Sequence, residues 1–146
     1  MQKTLFFLFT LTFFIGFSQE YRFIEYSVKD GLAQSQVTSV AQDKSGYIWI
    51  GTQGGLSRFD GVNFKSYSTN DGLVGNSITK LRFDKENKLW IASNGGVSVM
   101  SNVGITTYRF SKINAGLTVS DISFYKGKIY LSTNGNGLFE VVNDSI

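Results

Sequence analysis

Short apolar runs alternate with turn residues along most of the chain. In the first part of the chain this alternation predicts four strands, at residues 37–42, 47–51, 56–59 and 63–67. Asp-Gly and Gly-Gly pairs lie at the turns between them, and glycine supplies the positive φ that tight hairpin turns require. The apolar residues show no 3.6-residue period of the kind an amphipathic helix would have. The pattern therefore predicts a series of short antiparallel strands.

The same order of residues returns 41 positions later without a gap. The matching positions are Phe23 with Phe64, Tyr26 with Tyr67, Asp30-Gly31-Leu32 with Asp71-Gly72-Leu73, Trp49-Ile50 with Trp90-Ile91, and Gly54-Gly55 with Gly95-Gly96. A match of this length at one fixed offset indicates an internal repeat.

A third copy is weaker. Tyr108 keeps the offset, and Ile122 is interpreted as the counterpart of Ile78 after a three-residue insertion. Tyr130 stands in the position of the two tryptophans. The repeats cover approximately residues 23–63, 64–104 and 105–146.

Four short strands in about 41 residues is the unit of a β-propeller blade. We therefore predict an all-β fold over residues 19–146, made of about three four-stranded antiparallel blades of a larger propeller. Because a ring needs at least about four blades, we expect an open arc with exposed apolar faces and unpaired strand edges. Residues 22–27 resemble the fourth strand of a blade and have no strand nearby to pair with.

Trp49, Trp90 and Tyr130 allow two interpretations. An exposed aromatic row is a platform for a sugar or a base. Alternatively, the second strand of each blade is buried on both faces, and its large residue fills the space between blades. The regular recurrence of the aromatic residue favours burial.

The first residues have the order of a secretory signal peptide. Lys3 precedes an uncharged apolar run over residues 4–17, and the small residues Gly16 and Ser18 precede a cleavage point before Gln19. The run is too short for the roughly 20 residues of a membrane-spanning helix. We expect residues 1–18 to be removed and the product to be exported to the periplasm, with no transmembrane segment.

Composition excludes several kinds of chemistry. The chain has no cysteine and no histidine, and its net charge is +3. Disulfides, thiolate metal sites, catalytic triads and imidazole acid–base catalysis are therefore excluded. The basic residues are scattered, which argues against binding of nucleic acid. We expect no enzyme activity, no catalytic residue, no metal and no cofactor.

Four aspartates recur beside turn glycines and are interpreted as turn formers rather than acids. They are Asp30, Asp43, Asp60 and Asp71.

One edge of such a blade array is the expected ligand surface. It combines the loops that lead into each first strand with the turns between second and third strands. The candidate binding residues are neutral and hydrogen-bonding, and they are Gln34, Ser35, Gln36, Thr52, Gln53, Asn76, Ser77, Ser93, Asn94, Thr133 and Asn134, with Ser120 added from the third copy. They suit an oligosaccharide or another small polar ligand. The alternative is that they only bond their own backbone in turns.

Residues 30–61 and 71–102 closely resemble the two-component regulator propeller repeat. The shared features are the Gly-Leu turn, the Asp turn, and a Trp-Ile-Gly-Thr-like strand followed by Gly-Gly. The resemblance implies the periplasmic sensor of a hybrid sensor kinase, for which glycan breakdown products are common ligands. It also implies that further propeller blades and a kinase module, absent from this chain, complete the full-length protein.

Two alternatives remain open at this stage. One is an exported propeller scaffold that binds proteins at the cell surface or in a secretion system. The other is a propeller lyase, which the absence of histidine disfavours.

Overall fold

Three antiparallel sheets follow one another along the chain. The computed structural model describes residues 21–110 and 116–142, so the predicted signal peptide lies outside the described residues. The first sheet contains β1 (Val37–Gln42), β2 (Ile48–Thr52), β3 (Gly55–Phe59) and β4 (Phe64–Tyr67). The second contains β5 (Ile78–Phe83), β6 (Leu89–Ser93), β7 (Gly96–Ser101) and β8 (Gly104–Arg109). The third contains β9 (Val119–Tyr125), β10 (Lys128–Thr133) and β11 (Leu138–Val141).

Within each sheet the strands lie side by side in chain order. The four strands predicted in the first copy are confirmed to within one residue at each end. In the described part of the chain, the third sheet has three strands. Within the described ranges, no helix is long and apolar enough to cross a membrane.

The strand register corrects the sequence alignment of the third copy. The three sheets begin at Val37, Ile78 and Val119, which lie at the same 41-residue spacing. Ile122 pairs with Leu131 and is therefore not the counterpart of Ile78. The predicted three-residue insertion is wrong. The real difference lies in the hairpin between β9 and β10. Leu81 pairs with Ile91, ten positions later, whereas Ile122 pairs with Leu131, nine positions later, so this hairpin is one residue shorter.

The sheets pack face to face through apolar side chains. Trp49 is 7% exposed and lies in a core with Leu81 and Leu89 of the second sheet. Trp90 is 5% exposed and lies in a core with Leu131 and other residues of the third sheet. The expectation that the tryptophans fill the space between sheets is confirmed. Tyr130 is only half-buried.

Hydroxyl groups join the first strands of neighbouring sheets. Thr38 Oγ1 donates to the Ile78 carbonyl oxygen at 2.8 Å, and Thr79 Oγ1 donates to that of Val119. Because the two threonines are 41 residues apart, the same contact repeats at both junctions. The first strands therefore lie next to one another on the inner side of the array.

Among the described residues, one face of the first sheet has no other sheet against it. Val40 of β1 is 60% exposed, whereas its counterpart Leu81 is 4% exposed and its counterpart Ile122 is fully buried. The segment at residues 22–27, predicted as strand-like, is irregular. It pairs with none of the described strands, and its Tyr26 ring packs on the ring of Phe59 with centroids 4.9 Å apart.

Candidate functional site

The predicted ligand surface forms one continuous edge of the array. We call this edge the rim, and it consists of residues 34–36, 52–54, 75–77, 93–95, 116–118 and 133–135. The same backbone hydrogen bond holds it together in each sheet, from Gln53 N to Gln36 O at 3.2 Å, from Asn94 N to Ser77 O at 3.1 Å and from Asn134 N to Thr118 O at 3.0 Å. The loop before each first strand is thereby fixed to the turn after each second strand.

Further bonds join the rim across the sheet boundaries. Ser77 Oγ donates to Gln53 Oε1 at 2.5 Å, which links the second sheet to the first. Gly95 N donates to the Leu117 carbonyl oxygen at 2.9 Å, which links the second sheet to the third. The structure therefore brings the rim residues of all three copies into one row.

Four rim carboxamides use their oxygen atoms within the protein. Gln34 Oε1 accepts from Gln36 N at 2.6 Å, and Asn76 Oδ1 accepts from Thr69 N at 2.8 Å. Asn94 Oδ1 accepts from Ser77 N at 3.2 Å, and the fourth is Gln53, whose oxygen accepts from the Ser77 hydroxyl. Gln34 and Asn76 lie in the loops before β1 and β5, whereas Gln53 and Asn94 lie in the turns after β2 and β6.

Three of the predicted rim residues use their hydroxyl groups to close turns. The hydroxyl of Thr52, a fully buried residue, donates to Gly55 O at 2.7 Å and accepts from Gly54 N. The hydroxyl of Ser93, 1% exposed, donates to Gly96 O. Thr133 Oγ1 closes the equivalent turn in the third sheet through Gly137 O at 2.8 Å. The expectation that Thr52 and Ser93 face a ligand is wrong, since their hydroxyls satisfy the turn.

The remaining rim predictions lie at the surface. Ser35, Gln36 and Asn134 are exposed. Ser120 lies within β9, one residue after it begins, and its hydroxyl is 3.0 Å from that of Ser132. Thr118 occupies the position that Ser77 has in the second copy, and sequence reasoning missed it because the supposed insertion displaced the alignment by three residues. A constant offset of 41 would have identified it.

The recurring aspartates serve the fold. Asp43 Oδ1 accepts from two backbone amides of its turn, and its Oδ2 accepts from Trp49 Nε1 at 2.9 Å. Asp84 makes the same three bonds, the last of them to Trp90 Nε1 at 2.9 Å. Asp60 accepts from Asn63 N and Val62 N, and these two amides hold the pKa of Asp60 below its ordinary value. The interpretation of these aspartates as turn formers is confirmed.

Asp30 and Asp71 act in a second kind of turn. Each ends a short 3-10 helical turn whose capping serine, Ser27 or Ser68, donates to the aspartate from both its backbone amide and its hydroxyl. The Ser27 backbone amide is the main cause of a lowered pKa for Asp30. Both carboxylates are therefore engaged in local structure.

One cleft lies at the edge opposite the rim, between the second and third sheets. It has a volume of about 690 Å³, and Trp90, Tyr108 and Phe124 are among its lining residues. A matching cleft between the first and second sheets measures about 290 Å³, and residues 100–102 of the second sheet are among those that line it. No predicted rim residue lines either cleft.

No group of three or more acidic side chains suited to a metal ion is found among the described residues. The rim residues themselves include no charged side chain. The chemistry that the rim offers is therefore neutral hydrogen bonding.

Comparison with known proteins connects this geometry to a family. Residues 31–54 and 72–95 match the family model described as Two component regulator propeller. Over 43 residues the chain is 49% identical to histidine kinase P4 of Formosa agariphila, a stretch that is 30% of this chain and 3% of that relative.

Solved structures show the same fold. The extracellular domain of a hybrid two component system from B. thetaiotaomicron matches with a TM-score of 0.70 and 24% identity, over 82% of this chain and 17% of that one. Virginiamycin B lyase from Staphylococcus aureus matches with a TM-score of 0.58 and 15% identity, over 75% of this chain and 39% of that one. At these identities the likeness concerns the fold alone. The predicted all-β propeller fold is confirmed, and the chain spans a small part of the sensor proteins that it resembles.

Proposed function

Because the chain contains two repeats of the two-component regulator propeller family, we propose that it is part of the extracellular ligand-binding propeller of a two-component sensor. The observation that carries the proposal is the rim, where the loops of successive repeats meet in one neutral, hydrogen-bonding row. The resemblance of the chain to an extracellular domain of a hybrid two component system and to a histidine kinase supports the same role.

The proposed ligand is a glycan-derived oligosaccharide, and the proposed role is binding without catalysis. Carboxamide and hydroxyl groups such as those of Gln53, Asn76 and Asn94 are suited to the hydroxyl-rich surface of a sugar. The aspartates nearest to the repeat turns are engaged in backbone and indole hydrogen bonds, so they serve the turns rather than acid–base chemistry.

The proposal is tested by titrating the chain with neutral and acidic oligosaccharides in a calorimeter. Replacing Gln53 or Asn94 by alanine should weaken the binding of a recognised saccharide by roughly tenfold, the effect of losing a hydrogen bond worth about 1.4 kcal/mol. Asn102→Ala, in the turn between β7 and β8 at the opposite edge, should leave the affinity unchanged. A chain that binds no saccharide, or binds one equally well in all variants, contradicts the proposal.

We further propose that residues 1–18 direct export and that a kinase module follows in the full-length protein. Mass spectrometry of the exported product should find Gln19 as its first residue. The DNA after the codon for Ile146 should continue in frame with more blades, a membrane span and a kinase. A product that retains residues 1–18, or a stop codon followed by unrelated genes, contradicts this assignment.

One observation favours the scaffold as a second candidate. The face of the first sheet that has no described sheet against it exposes Val40 to 60%, and exposed apolar positions of this kind occur at protein contacts. Under this function a Val40→Glu substitution should abolish partner binding while rim variants leave it intact. The reverse result identifies the rim as the functional surface.

A further inference from the structure

The carboxamide side chains of the rim use their oxygen atoms, but not their NH₂ groups, in hydrogen bonds with the described residues. The oxygen atoms of the carboxamides of Gln34, Gln53, Asn76 and Asn94 all accept a hydrogen bond from within the protein. For three of them the donor is a backbone N–H, which can only be paired with an oxygen. Each NH₂ group is therefore the part of the carboxamide left over, and none has a hydrogen-bond partner among the described residues.

Four backbone carbonyls of the rim also accept hydrogen bonds within the protein. Those of Gln36, Ser77, Leu117 and Thr118 each accept from a backbone amide of the facing turn. The residues that make up the rim include no aspartate and no glutamate. The carboxamides therefore present NH₂ donors to a ligand, beside hydroxyl groups that can donate or accept.

Ser77 holds two of these donors close together. Its hydroxyl bonds the Gln53 carboxamide, and its backbone amide bonds the Asn94 carboxamide. The side chain of Gln34 lies beside the same turn. A Cβ added to Gly54, the residue after Gln53, would come within 2.8 Å of Gln34 Cβ. Gly75 leaves the space for this arrangement, since a Cβ there would stand 2.3 Å from Asn94 Oδ1.

We propose that this donor cluster, formed by the NH₂ groups of Gln34, Gln53 and Asn94, recognises the carboxylate of an acidic saccharide. The inference rests on the proposed saccharide-binding function and adds the chemical class of the ligand. A carboxylate only accepts hydrogen bonds and has sites for about four of them, so it matches the NH₂ groups of this cluster. Hydrogen bonds to an ionised acceptor are about twice as strong as neutral ones.

The test compares tetragalacturonate with its fully methyl-esterified form, in which every carboxylate is replaced by an uncharged methyl ester. Calorimetric titration of the chain should show that the acid binds more tightly. Asn94→Asp and Gln53→Glu retain the oxygen that bonds Ser77 and replace the free NH₂ group by a second carboxylate oxygen. Each substitution should weaken the binding of the acid by roughly tenfold or more, because repulsion replaces a charge-assisted hydrogen bond. The affinity for the ester should stay nearly unchanged.

Asn102→Asp is the matched control, since it makes the same chemical change at the opposite edge and should leave the affinity for the acid unchanged. Thermal denaturation of each variant verifies that it is folded, and the two rim variants test the cluster independently. Equal binding of acid and ester by the parent chain, or undiminished acid binding by both rim variants, overturns this inference and leaves saccharide binding standing. A chain that binds neither saccharide, nor any other oligosaccharide, overturns the proposed function itself.

Discussion

At the scale of single residues, one aspartate performs two tasks in each complete repeat. Asp43 and Asp84 close the turn before the second strand with one oxygen and bind the indole N–H of the tryptophan with the other. A buried indole N–H needs such a partner. In the third copy Tyr125 and Tyr130 stand in place of the pair, so the aspartate and the tryptophan are lost together.

Removing a tryptophan side chain should open a cavity between two sheets. Trp90→Ala should lower the free energy of unfolding by roughly 3–5 kcal/mol, the usual cost of truncating a buried large aromatic residue. Tyr130→Ala, at the half-buried counterpart, should cost less. Urea denaturation followed by circular dichroism measures both values, and a Trp90→Ala variant as stable as the parent chain would contradict the burial.

Thr52→Ala provides a second test, because the loss of a buried hydroxyl should lower the stability more than the loss of an exposed one. Thr52→Ala removes the hydroxyl that binds Gly55 O and Gly54 N inside the turn. A buried polar group left without its partner costs about 1–3 kcal/mol. Ser35→Ala, at an exposed hydroxyl of the same rim, should stay within about 0.5 kcal/mol. Equal stabilities of the two variants in denaturant melts would argue against the turn role.

At the scale of the elements, strand positions were predictable wherever the residue pattern was local. The glycine turns and alternating apolar residues placed β1 to β4 to within one residue. The third copy was misaligned because Ile122 and Val119 are both buried β-branched residues, and only strand pairing separates them. The sequence predicted the edge of the array at which the rim lies. The burial of Thr52 and Ser93 was not, because hydroxyls in turns and hydroxyls facing a ligand have the same sequence signature.

Two glycines at the same position of successive repeats offer a matched pair for the rim. Neither Gly75 nor Gly116 has a positive φ, so alanine is compatible with the backbone at both. A Cβ at Gly75 would collide with Asn94, whereas one at Gly116 meets nothing within 4 Å. Gly75→Ala should destabilise by roughly 1–3 kcal/mol, as overpacking does. Gly116→Ala should be neutral or stabilise by up to about 1 kcal/mol. Denaturant melts in which both variants behave alike would contradict the close approach of Asn94.

At the scale of the whole molecule, the first sheet has a described neighbouring sheet on only one of its two faces. The chain should therefore self-associate through this face, as light scattering would measure. Val40→Glu should reduce the association, because it places a charge at an exposed apolar position of this face. Val103→Glu, in a turn where the valine is 99% exposed, is the control and should change little. Equal association of both variants would show that another surface is responsible.

The second sheet is the only one of the three described sheets with a neighbour on each side, and the threonine hydroxyls of β1 and β5 tie its first strand into both junctions. In a stack where each unit contacts only its neighbours, the outer units open at lower free energy than the middle one. Amide hydrogens of β5 to β7 should consequently exchange with deuterium more slowly than those of β1 or β9. Opening should proceed as the release of whole sheets from either end, so the junctions, more than the individual hairpins, determine how cooperatively the molecule unfolds.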